Sequence, residues 1–299
     1  MVAVVKSEAG YRAALESCAR VDLSGREQLK VLGPDRSSFL HGMVTNDVNG
    51  LGLGASNYAA MLTPKGAMVG DARVLRLAEE LLLDTGPGRS AAVRDFLLKY
   101  LISEDAEVVD SPGTAVLGLV GPKAAEWAAR VEGALGQYES FLGGVDVVVA
   151  REALESVTAR LAELPVLDEE TAEVLRVERG VALWGVDMSE ATIPLEANLD
   201  RARNFTKGCY IGQEVIARAT YRGQMNKKLM GLELGEAEVK VGTELKMAER
   251  KVGWLTSVAR SPKRGQVVGL GYVHRDFLTP GTTVELAGGG QAVVVALPF

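Results

Sequence analysis

From Leu229 to the C terminus the chain has no helical period. Short runs rich in Val, Leu and Gly alternate with turns such as Thr279-Pro280-Gly281, and residues 291–297 close the chain as a last strand. Short strands at even spacing read as a small antiparallel barrel or sandwich. The stretch before it is built differently. Residues 72–77 and 81–84 read as strands, 89–102 as an amphipathic helix, 107–109 and 115–120 as strands. A helix over 122–135 is opened by its proline, followed by a strand at 145–149 and a helix at 152–164. Taken from Leu81, the order is β-α-β-β-α-β, that of a ferredoxin-like unit. Ahead of it lie a short amphipathic helix beginning at Tyr11, a strand over 27–33 and a helix started by Pro34; after Pro165, residues 168–178 are helical. Length alone suggests about two domains for 299 residues.

Several function classes drop out. Two cysteines, Cys18 and Cys209, make no disulfide framework, and neither has a partner at CxxC spacing. Two histidines, His41 and His274, are too far apart for a zinc motif, so no metal site is expected. No serine sits in GxSxG, no P-loop occurs, and Gly50, Gly52 and Gly54 lack the later glycine of a dinucleotide fingerprint. No run approaches the roughly 18 apolar residues of a membrane helix, and residues 1–8 turn acidic too soon for a secretory leader. A cytoplasmic location is the default expectation. The formal charge of −6 conceals an asymmetry: between Arg201 and Lys228 seven bases face one acid, a local +6 that leaves −12 for the remainder. That pattern fits either a local anion site or a solvated basic segment.

Three groups of residues carry chemistry. The first is Lys207-Gly208-Cys209-Tyr210-Ile211-Gly212-Gln213-Glu214, in which the glycines allow a tight turn and close approach to a ligand. Lys207 and nearby arginines would favour the Cys209 thiolate, although a buried structural cysteine is the plainer alternative. In the second, Glu178, Asp187 and Glu196 lie among glycines and a proline. A carboxylate suits the amidine-like edge of a pterin or guanine because its two oxygens accept both N–H donors, while pairing of Glu178 with Arg176 or Arg179 is equally open. The third is Asn46-Asp47 together with Asp71, which suit polar anchors or a proton-transfer group in a cleft, or a cap and a turn.

In this order, the three groups resemble the folate-binding superfamily of the glycine-cleavage aminomethyltransferase, and within it the YgfZ branch, whose signature K-G-C-[FY]-x-G-Q-E residues 207–214 match at every position. The resemblance implies an α+β ring of three domains. These are a discontinuous folate-binding domain (1–70 and 166–224), a ferredoxin-like domain (71–165) and a C-terminal antiparallel β-barrel (225–299). It implies tetrahydrofolate, or a one-carbon derivative, in the central opening, with Glu178 holding the pterin and Asn46, Asp47 and Asp71 lining the opening. Asp187, Glu196, Tyr210 and Gln213 join the ligand-contacting set, and Arg218 and Arg222 are assigned to the glutamate tail, since guanidinium forks suit carboxylates. Cys209, with Lys207 and Asp71, forms the reactive set.

Gly70-Asp71 stands where the aminomethyltransferase usually carries two aspartates, and that enzyme lacks the cysteine-containing octapeptide. The resemblance therefore implies an accessory factor for assembly or repair of iron–sulfur proteins, including tRNA-thiolating enzymes, that contacts its clients transiently. The alternative is an aminomethyltransferase of the glycine cleavage system. A further alternative, an RNA-binding module, is opposed by 5% aromatic content and by the net charge.

Overall fold

The computed structural model describes residues 2–222 and 225–299, the side chains of residues 221 and 222 excepted. Among the described residues the strands form three sheets, all with antiparallel neighbours. A five-stranded sheet runs in the order Ser56–Leu62, Met68–Arg76, Leu81–Gly86, Glu27–Leu32, Glu107–Asp110. A four-stranded sheet runs Ala19–Asp22, Thr114–Val120, Gly144–Ala150, Gly136–Glu139. The C-terminal quarter closes into a six-stranded barrel over Lys227–Gly235, Gln266–His274, Arg250–Ser261, Glu244–Met247, Thr283–Leu286 and Gln291–Val295. The expected α+β architecture with a terminal antiparallel barrel is what forms.

The elements expected from Leu81 onward are present but divide between two sheets. Glu27–Leu32 pairs with both Leu81–Gly86 and Glu107–Asp110, drawing them into the five-stranded sheet, whereas Thr114–Val120 and Gly144–Ala150 belong to the four-stranded one. The reason lies in burial: the Leu29 and Val31 side chains are fully buried among Leu81, Leu83 and Val108, a pairing between distant segments that local periodicity does not encode. The expected domain boundary between residues 70 and 71 falls inside the strand Met68–Arg76. The helix expected over 122–135 is confined to Ala124–Ala128, and Gly136–Glu139 follows it as an edge strand.

Helices cover the outer faces. Arg36–Met43 and Ser90–Tyr100 seal the five-stranded sheet, while Ala124–Ala128 and Leu154–Arg160 seal the four-stranded one. The helix Glu169–Glu178 is started by Asp168, whose carboxylate accepts from the Thr171 amide at 3.0 Å and the Thr171 hydroxyl at 2.7 Å. Its Val174, Leu175 and Val177 pack with Tyr11 and Ala14 of Glu8–Glu16 and with Leu270 and Tyr272 of the barrel, so one helix ties the N terminus to the C-terminal unit.

The two open sheets are joined by a buried chain of charges. Arg73 is 2% exposed and reaches Asp84 of its own sheet and Asp146 of the other, while Arg26 donates to Asp84 at 2.8 Å. The Arg73 guanidinium also lies 4.5 Å from the Tyr138 ring and 5.3 Å from that of Phe141. Burial alone would push the Asp84 carboxyl up; the two guanidiniums outweigh it and hold Asp84 below the ordinary carboxylate range. The stability this ionised group contributes is present above its unfolded-state pKa and is lost as pH falls through its lowered folded value. Arg73→Met, which leaves two buried aspartates short of a partner, is expected to cost about 3–5 kcal/mol in urea denaturation. An unchanged midpoint would mean that the chain does not couple the sheets.

Candidate functional site

A cavity of about 830 Å³ opens where the two open sheets meet the helix Glu169–Glu178. Arg26, Asp71, Thr85 and Arg89 reach it from the five-stranded side, Phe141 and Asp146 from the four-stranded side, and Glu173 and Arg176 from the helix. The segment 181–186 supplies an apolar wall with Leu183, Trp184 and Val186. That segment is pinned from behind by Asp187, which is 4% exposed. Its carboxylate accepts from the Leu183 amide at 3.0 Å, from Arg176 at 2.6 Å, and from the hydroxyls of Thr256 and Ser257 in the barrel. Arg176 grips Glu173 with both ends of its guanidinium fork. The cavity wall is therefore held by a polar network whose members are mutually satisfied.

Asp71 presents a carboxyl to the cavity. It lies on Met68–Arg76, and its Oδ2 accepts a hydrogen bond from the Tyr58 hydroxyl at 2.8 Å. Burial pushes its carboxyl up, against the lowering effects of the Tyr58 hydroxyl and Arg26. Its neighbour Gly70 faces the other way, as strand alternation requires: a Cβ there would come 3.1 Å from Val93 of the covering helix. An aspartate at position 70 would point into that apolar layer rather than the cavity. Gly70 therefore does not deprive the cavity of the Asp71 carboxyl.

Beyond the cavity wall Tyr58 meets Phe141 edge to face, centroids 4.9 Å apart. The pair separates the main cavity from a second one of about 400 Å³, bounded by Arg179, Arg201, Lys228 and the barrel end at 296–298. On the main side, the Arg89 guanidinium stacks 4.5 Å over Trp184 and donates to the Val69 carbonyl at 2.9 Å, leaving its buried Nε without a partner among the described residues.

Of the described residues expected in the site, Asp71 alone lines the main cavity. Glu178, 3% exposed, turns away from it and accepts from the Tyr11 hydroxyl at 2.9 Å and from the Ser261 hydroxyl, clamping the first helix to the barrel. Asn46 spends its amide on the carbonyls of Tyr58 and Arg201, at 2.8 and 3.1 Å. Asp47 caps the turn at the Gly50 amide and contacts His41 at 3.3 Å. Glu196 is buried behind Lys227, where burial raises its carboxyl.

The octapeptide is a packed surface loop leading into the helix Gln213–Arg222. Burial pushes Lys207 down to about 8 against the pull of Asp47, and its Nζ donates to the carbonyls of His41 and Val44 at the end of Arg36–Met43. Gly212 (φ +82°) lies so close to the Thr63 carbonyl that a Cβ would come within 2.6 Å of it. Tyr210 packs beneath the loop with Ala60, Leu62 and Met68, and Gln213 opens the helix. Cys209 is exposed, away from the cavity, whereas Cys18 is buried and its thiol is pushed up to about 11 by that burial. Arg218 pairs with Glu214 on the surface, and the Arg222 side chain lies outside the described residues.

The basic segment is thus divided among separate partners: Arg201 with Glu139, Arg203 with Asp200, Arg218 with Glu214 and Lys227 with Glu196. It contributes nothing to the lining of the main cavity, while Arg201 and Lys228 border the second one. The cavity residues that the sequence did not reveal, Arg26, Arg89, Glu173 and Trp184, carry no motif and converge only through tertiary structure. The described residues contain no cluster of three or more His, Cys, Asp or Glu able to hold a metal ion, and no helix long and apolar enough to cross a membrane.

The two open sheets and the helix Glu169–Glu178 thus bound a cavity that carries the Asp71 carboxyl and an apolar wall, with the barrel behind that wall. Residues 3–152 match the GCVT N-terminal domain, and residues 227–299 match the glycine cleavage T-protein C-terminal barrel domain. The chain belongs to the glycine cleavage T-protein family. It is 30% identical to an aminomethyltransferase of Rubrobacter xylanophilus over 84% of this chain and 75% of that one. It is 28% identical to an aminomethyltransferase of Halothermothrix orenii over 97% of this chain and 90% of that one. The fold superposes on the crystal structure of aminomethyltransferase T from Bartonella henselae with a TM-score of 0.84, covering 97% of this chain and 88% of that one at 22% identity.

Two outcomes follow from the geometry. Tyr58→Phe removes a bond that favours ionised Asp71, so a carbon-13 NMR titration is expected to show the Asp71 midpoint, already above the ordinary carboxylate range, moving higher still. Movement to lower pH would contradict the assignment of that bond. Glu178→Gln is expected to lower stability by about 1–3 kcal/mol while leaving ligand affinity intact; loss of affinity without loss of stability would return Glu178 to the site.

Proposed function

We propose that this chain is a folate-dependent one-carbon transferase of the aminomethyltransferase type, working in the 830 Å³ cavity around Asp71. The observation that carries the reading is the Tyr58–Asp71 pair, a half-buried carboxyl with raised proton affinity facing a cavity of ligand size. The names borne by the relatives support the same reading. The residues fit a reduced folate: Trp184 and Phe141 offer flat apolar faces for a bicyclic ring, and Glu173 offers carboxyl oxygens to its N–H edge. Tetrahydrofolate supplies the nitrogens that accept the one-carbon unit.

The protein's own contribution is proton management and exclusion of water. Asp71 takes the proton released at the attacking nitrogen and returns one to the departing amine, a task suited to a carboxyl whose proton affinity burial has raised. Tyr58 fixes the direction of Oδ2. Trp184, Leu183 and Val186 close the apolar side. With purified glycine-cleavage partner proteins, Asp71→Asn is expected to lower turnover about 10²–10⁴-fold with little change in folate affinity. The same variant is expected to be more stable than the parent at neutral pH, because the ionised carboxylate is disfavoured in the fold and stability falls as pH rises through the window between its unfolded and raised folded values. Full turnover by Asp71→Asn, or none by the parent, would sink the reading.

A second reading is favoured by one observation: Cys209 is exposed on a glycine-shaped loop outside the cavity, where another macromolecule can reach it. It is the reading of an accessory factor for iron–sulfur proteins. In a deletion strain assayed for iron–sulfur enzyme activity, it requires that Cys209→Ala fail to rescue where the parent succeeds. Equal rescue by both, or normal activity in the deletion strain, removes it.

A further inference from the structure

The strand that carries Asp71 is irregular just before it. Residues 56–61 pair one for one with 75 down to 70, but Leu62 pairs with Met68, so Val69 is an extra residue, a β-bulge. Its effect is a change of face. Val69 packs against the apolar layer to which Ala72 and Val74 belong, while Met68 lies on the other side with Leu62 and Met188. Counted by twos from Met68, Asp71 would fall on the apolar side. The extra residue reverses the alternation and turns Asp71 to the cavity. A bulge keeps such a direction only if its displaced backbone is fixed, and here the Val69 carbonyl accepts from Arg89 Nη2 at 2.9 Å. Arg89 comes to that bond from a firm base. It precedes the helix Ser90–Tyr100, whose first amide donates to Glu27 Oε2 at 2.8 Å. The face of the same guanidinium stacks 4.5 Å from the centre of the Trp184 ring, on a segment that belongs to none of the three sheets. One side chain thus spans from the bulge to the flat wall of the cavity.

We propose that Arg89 is a positioning residue for the transfer: it holds the Asp71 carboxyl and the Trp184 ring at one spacing, so that a ligand stacked on the wall presents its reacting nitrogen to the carboxyl. The inference rests on the folate reading above. The two contacts need a guanidinium, whose planar face stacks while its edge donates in the plane; an ammonium is a point charge and makes one contact or the other. Spacing matters because a misplacement of about 1 Å costs on the order of 10²-fold in rate. Arg89 also acts on Asp71 by its charge. Burial pushes that carboxyl up and Asp84 adds to the effect, whereas the Tyr58 hydroxyl, Arg26 and Arg89 oppose it. Position and charge are therefore separable: a lysine keeps the second and loses the first.

The test is turnover of the full chain with purified glycine-cleavage partner proteins, measured across pH, with melting curves to report whether each variant is folded. Arg89→Met is expected to lower kcat about 10- to 100-fold with a smaller change in KM for tetrahydrofolate. Its acid limb in the kcat/KM profile is expected to move to higher pH, because a charge that favours ionised Asp71 is gone. Arg89→Lys, the milder change, is expected to return that limb toward the parent position while kcat stays low. Parent-like kcat in a folded Arg89→Met variant overturns the inference and leaves the folate reading standing. Full recovery of kcat by Arg89→Lys does the same, since charge alone would then suffice. No turnover by the parent overturns the folate reading, and the inference falls with it.

Discussion

Everything around the main cavity depends on Arg73 being shared by two aspartates from different sheets. Asp84 lies on the strand beside Arg73, Asp146 on the other open sheet, and Arg26 closes the series at the cavity edge. A buried ion pair is weak evidence for net stability, since desolvation offsets much of the attraction. What this chain supplies is position. It fixes the distance between two sheets whose facing edges are the cavity walls, and it seats Tyr138 and Phe141 against the guanidinium. Phe141 in turn meets Tyr58, and Tyr58 holds Asp71. A second network, Arg176 with Asp187 and the barrel hydroxyls, does the same for the opposite wall. The Asp71 carboxyl is thus set by contacts two and three residues removed from it.

Much of the fold was legible in the sequence because it is local. The barrel strands, the helix capped by Asp168 and the strand Gly144–Ala150 follow period and cap. What was not legible is the partnering of Glu27–Leu32 with strands about 50 and 80 residues later, since pairing between distant segments leaves no periodic trace. The site was less legible still. The octapeptide is the most distinctive stretch of the chain, yet Lys207 braces a helix end and Gly212 clears a carbonyl, so much of its pattern answers to packing. The cavity is built from residues scattered between Ala3 and Val186. Only Asp71 stood out beforehand, and what it needed was its strand direction.

That direction changes the functional argument. The two-aspartate comparison treats positions 70 and 71 as equivalent, but a strand sends consecutive side chains to opposite faces, and only position 71 meets the cavity. The charge distribution changes as well. A run of seven bases resembled an anion wall, yet folding pairs four of them one by one and turns Lys207 into a brace. The cations that remain near the ligand space belong to the second cavity, and Arg179 among them lies outside that run.

The central claim is that the ligand ring lies against Asp71 in the main cavity and not beside the octapeptide. A crystal structure of the chain with 5-formyltetrahydrofolate tests it most directly. The account predicts the bicyclic ring between Trp184 and Phe141, within hydrogen-bond reach of Asp71. A ring seated against Cys209 or Glu178, with the main cavity holding only solvent, would contradict it.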